Sequence, residues 1–194
     1  MRYNTNPSKI YKSGDVTIRF TWIPGNTLEG FAPFSQCYGV CFDKNGQIVI
    51  QKFKDSDWSL PGGTVEKGEL PEETLRREFL EEVDIKLKKV ILLGAQKVEY
   101  LKGHNPHPQK GGDVFFQLRY YCEVSEVLPQ TPDPDKGEIR DRKFIDPDIV
   151  TQYFDWGDAG KAIFDQAIYL FHRLHNDSGY NIKINETSKK LTIS

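Results

Sequence analysis

The chain has 194 residues, of which 38% are hydrophobic and 28% charged, and its formal net charge is −2. That is the make-up of one ordinary globular domain. The charge balance speaks against general affinity for nucleic acid or an anionic membrane, since either needs a basic face. No apolar run nears the roughly 18 residues of a membrane helix.

The N-terminal text MRYNTNPSKIYKSGD lacks the apolar core of an export signal, so a cytoplasmic location is the expectation. DVTIRFTWI (15–23) alternates and is rich in β-branched and aromatic residues, which predicts a strand. SQCYGVCFD and QIVIQKF are two further strands, joined by the turn Asp43-Lys44-Asn45-Gly46. DSDWSLPGGTVEKGE reads as loop, and a helix follows over 71–83, with proline tolerated at its first turn and Glu72 and Glu73 at its positive end.

KLKKVILLGAQKVEYL and GDVFFQLRYYCEV predict long strands separated by a polar loop, and EIRDRKFI predicts another after a proline-rich connection. DPDIV opens a short helix. Residues 158–176 form an amphipathic helix whose stripe is Ile163, Ala167, Leu170, Phe171 and Leu174. Cys37, Cys41 and Cys122 lie in strand text and suit buried thiols. These elements predict an α/β (α+β) fold, a mixed sheet with helices packed on it, in one domain over 1–176. Residues 177–194 form a tail or a small hairpin.

The helix at 71–83 carries an unusual load. Glu78, Glu81 and Glu82 sit at i, i+3 and i+4, so their carboxylates share a face and repel by about 0.2–0.5 kcal/mol per pair. Leu75, Phe79, Leu80 and Val83 fall on another arc, suited to packing on a sheet. Converging hard oxygens suit Mg²⁺, which takes a few carboxylates and keeps waters that phosphates can displace. The competing reading is a solvated face in which Arg76 and Arg77 pair with the glutamates.

Residues 60–85, LPGGTVEKGELPEETLRREFLEEVDI, closely resemble the Nudix box, G-x5-E-x7-R-E-U-x-E-E-x-G-U with U a bulky aliphatic. Gly63, Glu69, Arg77, Glu78, Glu81 and Glu82 match; Phe79 stands for an aliphatic, and Asp84 replaces the second glycine just past the helix end. The resemblance implies a Nudix-like α/β/α sandwich and hydrolysis of a nucleoside diphosphate linked to another group, with Mg²⁺ or Mn²⁺ as cofactor. It further implies Glu78, Glu81 and Glu82 as metal ligands with Gly62 beside them, Arg77 as the residue that orients the cluster, and Gly63 at the phosphates. The general base is either a box glutamate, Glu82 or Glu81, or a carboxylate from a later loop, for which Glu138 is the candidate.

Substrate contacts must come from elsewhere. Trp58 is placed to stack on a base, Arg19 and Lys52 to reach phosphates, and the loop bearing His104, His107 and Lys110 to act as a lid. Packing or plain solvation is the alternative for each. A small-molecule nucleotide is the expected substrate: a nucleoside triphosphate, ADP-ribose, a dinucleoside polyphosphate or a sugar nucleotide. A nucleic-acid partner is not expected from the charge; a homodimer is compatible with the family. The competing function is a non-catalytic nucleotide sensor, which loss of box glutamates would favour, and none is lost.

Overall fold

A computed structural model describes residues 6–107, 112–134 and 137–175. Eight strands, β1 (Ser8–Ser13), β2 (Val16–Pro24), β3 (Phe34–Phe42), β4 (Ile48–Lys52), β5 (Gly62–Thr64), β6 (Ile85–Lys102), β7 (Val114–Val127) and β8 (Asp141–Ile145), form one sheet. The order is β1-β2-β6-β7-β3-β4-β8, with β5 paired to β3. The β3–β7 pair is parallel and the other pairs are antiparallel, so the sheet is mixed as expected.

Two helices cover its faces. α1 (Pro71–Val83) lays Leu75, Phe79 and Val83 on Cys37, Cys41, Leu118, Tyr120 and Cys122. α2 (Gly157–His175) lays Ile163, Phe164, Ala167 and Phe171 on Trp22, Val40, Phe42, Ile50 and Tyr121 on the opposite face. The result is an α/β/α sandwich with two apolar layers. The three thiols are buried and unpaired, as their strand setting predicts. A short 3₁₀ helix, Pro147–Gln152, is capped by the Asp146 carboxylate, which accepts from the Asp148 N–H at 2.9 Å.

Some expectations need correction. Leu80 does not pack on the sheet: it is exposed, and Thr74 and Glu82 are buried in the positions flanking the apolar arc. Leu174 is partly exposed at the end of its stripe. The sequence reading has no counterpart for β1, an exposed polar edge strand, or for β5, three residues inside text taken as loop. Phe79, the bulky departure from the box, is accommodated by Gly39: a Cβ there would lie 2.8 Å from the Phe79 ring and 2.9 Å from Cys122 Sγ. Residues 177–194 and Lys110 lie outside the described residues.

β5 is what positions the site. It occupies the edge of β3 through Tyr38↔Gly62, Cys37↔Gly63 and Gln36↔Thr64, while β4 pairs with β3 further along, at Phe42↔Ile48. The diglycine of the box is thus held as backbone against β3, directly under the glutamate face of α1.

Candidate active site

Each box glutamate meets a different environment. Glu82 is the most buried; its Oε2 accepts from the Gly62 N–H at 2.9 Å and its Oε1 lies 2.7 Å from Arg140 Nη1. Glu78 lies against Gly63, where a Cβ would fall 2.3–2.8 Å from its carboxylate atoms. Glu81 is the most open of the three, with its side chain 33% exposed.

Two guanidiniums relieve the repulsion. Arg77 donates through Nε and Nη2 to both oxygens of Glu69 at 3.0 Å, and its Nη1 reaches Glu78 at 3.0 Å and Glu81 at 3.1 Å. Thr74 adds a hydroxyl to Glu69 at 2.5 Å. Arg140, one residue before β8, bridges Glu82 to Asp133 (2.7 Å), donates through Nη1 to Gln51 Oε1 at 3.1 Å, and stacks 3.8 Å over the Phe53 ring. Of the two arginines weighed as partners for this face, Arg77 pairs with the glutamates and Arg76 turns instead to the Leu87 carbonyl at 2.6 Å. Arg77 pairing is foreseeable from its i, i+4 spacing to Glu81; Arg140 is not, because 58 positions separate it from Glu82 and β8 delivers it.

The electrostatics divide along the same lines. Hydrogen bonds from Arg77 hold Glu69 down at about 2. Burial pushes Glu78 above the usual carboxylate range, although Arg77 opposes it. Burial pushes Glu82 up to about 7 against the pull of the Gly62 N–H and Arg140. Buried carboxylates so raised are short of positive charge.

The donor set is of the kind a divalent ion takes, hard carboxylate oxygens on one helix face. Glu78 and Glu81 each give Arg77 one oxygen, and the other carries no hydrogen bond among the described residues. Gly63 keeps the approach to Glu78 clear. As they stand, no three His, Cys, Asp or Glu side chains among the described residues are gathered around one point.

A cavity of about 940 Å³ opens beside this cluster, across Tyr38, whose partner in β5 is Gly62. Tyr38, Trp58, Gln96, Gln117, Arg119 and Trp156 are among its walls. Its size suits a nucleotide.

The NUDIX domain pattern matches residues 36–166, about two-thirds of the chain. The chain belongs to the Nudix family. An RNA pyrophosphohydrolase of Bartonella clarridgeiae is 32% identical over 62% of this chain and 83% of its own length. One of Actinobacillus succinogenes is 27% identical over 78% of this chain and 84% of its own length. A crystal structure of a Bacillus subtilis pyrophosphohydrolase is similar in fold, with TM-score 0.54 at 18% identity over 89% of this chain and 98% of that one. This Nudix protein is a pyrophosphohydrolase. No helix among the described residues is long and apolar enough to cross a membrane.

The residues singled out from the sequence now divide. Gly62, Gly63, Glu69, Arg77, Glu78, Glu81 and Glu82 are brought together by α1, β5 and the Nudix loop. Trp58 reaches the cavity wall, with Lys52 Nζ 5.2 Å and Lys143 Nζ 4.7 Å above its ring. Arg19 does not: Ile18 and Phe20 face the cavity, so strand alternation turns Arg19 to the other face, 3.8 Å from Glu99. His104 is exposed and tied to Asp113 at 2.7 Å, and His107 is exposed in the same loop; neither lines the cavity. Glu138 is exposed, and the later-loop carboxylate that approaches Glu82 is Asp133, through Arg140.

The raised Glu82 sets a pH dependence. In metal-free protein its carboxyl titrates near 7 when folded and near 4.5 when unfolded, so the folded state binds the proton more tightly. That contribution is complete below about 4.5 and is lost as pH rises through about 7. Glu82→Gln removes the titration. Urea unfolding in chelator should show the variant gaining on wild type by about 3 kcal/mol between about pH 4.5 and about pH 8. A difference that does not change with pH would mean Glu82 is not buried as described.

Proposed function

We propose that this Nudix pyrophosphohydrolase is metal-dependent and cleaves the pyrophosphate of a nucleotide whose phosphates lie over Glu78, Glu81 and Glu82 and whose nucleoside enters the neighbouring cavity. The observation that carries the reading is Glu82, buried, raised to about 7 and anchored on the Gly62 N–H, which is a carboxylate waiting for more positive charge than Arg140 supplies.

A diphosphate is strongly anionic, and three carboxylates repel it. A bound Mg²⁺ or Mn²⁺ supplies the charge that inverts this field and acidifies water. The protein's part is positional. Arg77 fixes Glu69, Glu78 and Glu81 as one rigid group. The Gly62 N–H sets the Glu82 oxygen, and Gly63 leaves room for phosphate to approach backbone. The proton acceptor for the attacking water is drawn from Glu81 and Glu82, consecutive residues in the last turn of α1. Arg140, held between Glu82 and Asp133 at the edge of the site, would supply a cation for the phosphates there.

The shared name of the curated relatives favours a second substrate, the 5′ end of a triphosphate-bearing RNA. Its first nucleotide presents the same anhydride. The test is phosphate and pyrophosphate release from a panel of nucleoside triphosphates, ADP-ribose, dinucleoside polyphosphates, sugar nucleotides and a short triphosphate-ended RNA, with Mg²⁺ and with chelator. Release that needs metal and is confined to one class supports the reading and names the substrate. Nucleotide binding without release from any of them would turn it towards the sensor.

A further inference from the structure

Arg119 lies in the middle of β7 and is only 3% exposed. Its Nη2 donates to Gln96 Oε1 at 2.6 Å and Gln117 Oε1 at 2.9 Å, and its Nη1 to the Leu118 carbonyl at 3.2 Å. Its Nε has no partner among the described residues and is shut off from solvent. The guanidinium lies 4.7 Å over the Tyr38 ring and 5.8 Å from that of Trp156. All of its hydrogen-bond acceptors are neutral carbonyl oxygens, and no carboxylate among the described residues pairs with it. A buried cation that is hydrogen-bonded but not neutralised is costly to keep. β7 carries it where Leu118 and Tyr120 pack under α1 and the alternate positions face the cavity.

The surroundings say what repays that cost. Arg119, Gln96 and Gln117 form one polar patch of the wall, beside the rings of Tyr38 and Trp156 that the guanidinium faces. Rings suit the faces of a base, and arginine, a donor only, favours a base edge that presents a carbonyl oxygen where adenine and cytosine present an amino group. Tyr38 also touches the catalytic side, since it pairs with Gly62, and Gly62 holds Glu82. Cavity and glutamate cluster are thus neighbours across one β3–β5 pair.

We propose that the cavity binds the nucleobase of the substrate and that Arg119 is a specificity-determining residue which selects an oxo-bearing base, of guanine or uracil type, over a base that turns an amino group to it. The proposal rests on the pyrophosphohydrolase reading only for where the phosphates lie. Base selection itself is readable without turnover.

The experiment is binding of GMP, UMP, AMP and CMP in chelator, followed by quenching of tryptophan fluorescence and by thermal shift. GMP, UMP or both should bind about tenfold or more tightly than AMP and CMP. Separate ranking of GMP and UMP tells purine from pyrimidine. Arg119→Met should bring the preference to within about twofold. Because that variant removes a buried hydrogen-bonding group, Gln96→Glu is the companion: it keeps shape and sets a carboxylate 2.6 Å from Nη2. It should raise the melting temperature of the free protein and abolish the preference, because the charge is then spent internally. A merely structural Arg119 predicts unchanged base ranking in Gln96→Glu.

Equal binding of all four monophosphates by wild type overturns the proposal, as does a ranking that survives both substitutions. Hydrolysis assays on the same samples separate the two readings. Base preference without turnover leaves the pocket standing and removes the proposed function, whereas turnover without base preference removes the pocket alone.

Discussion

Glu82→Gln is expected to fold normally and to lose at least about a hundredfold in metal-dependent turnover, a loss at the upper end of that seen when support of a metal ligand is removed. The amide has the size and shape of the carboxylate, and its oxygen can still accept from the Gly62 N–H. What it lacks is charge. Glu82 sits at the end of α1 where burial has removed water, so a formal negative charge there acts through a low dielectric and attracts a cation strongly. In the free protein Arg140 answers that attraction at 2.7 Å. The substitution should therefore weaken Mn²⁺ binding, measured by titration without substrate, in step with turnover. Circular dichroism should be unchanged. Wild-type activity in the variant would remove Glu82 from the catalytic set. Lost activity with full Mn²⁺ affinity would make it a proton acceptor and not a ligand.

The main strands, the two helices and the glutamate face were legible because each rests on short-range pattern. Alternation marks β2, β3, β6 and β7, the Asp43 turn closes its hairpin, and 3.6-residue spacing places α1 at its observed bounds. What was not legible depends on partners far away in the chain. Arg140 stands in a run of charges, and only the β4–β8 pairing brings it to Gln51, 89 positions earlier, and to Glu82. Arg119 left a fainter trace, the lone charge inside FFQLRYYC, on the face it shares with Gln117 and Tyr121. Such a residue is a signal that can be read from sequence: a strand does not bury a cation without a reason.

Asp84 shows the limit of reading a motif by what it lacks. As a departure from glycine it promised only a cost of about 1–2 kcal/mol at a left-handed helix end, and it does adopt that conformation, with φ 50° and ψ 46°. Its carboxylate, however, accepts from the Thr131 N–H at 3.0 Å and from the Thr131 hydroxyl at 2.7 Å. Its carbonyl accepts from Leu128 at 2.8 Å. Glycine has no side chain to make the first two bonds. The exchange therefore fastens the proline-rich connection that carries Asp133, and so Arg140, to the end of the glutamate helix.

The paired glycines of the box should fail in different ways when each is changed to alanine. At Gly62 φ is +138°, a region costly for any L side chain, and a Cβ would lie 2.2 Å from the Cys37 carbonyl oxygen and 2.7 Å from Tyr38 Cα. Those are backbone atoms of β3, which cannot swing aside, so β5 must leave its pairing. Gly62→Ala is expected to lose about 3 kcal/mol or more of stability, the combined cost of strain and overpacking, and to release the Glu82 anchor as well. At Gly63 the obstacle is the Glu78 carboxylate, at 2.3–2.8 Å. A side chain can rotate away, so Gly63→Ala should cost at most about 1 kcal/mol while turnover falls tenfold or more, by about the cost of displacing one positioned group. Chemical denaturation and kcat on the same two variants separate these effects. Similar stability in both would show that Gly62 is not confined against β3. Full activity in Gly63→Ala would show that Glu78 does its work, if any, from another position.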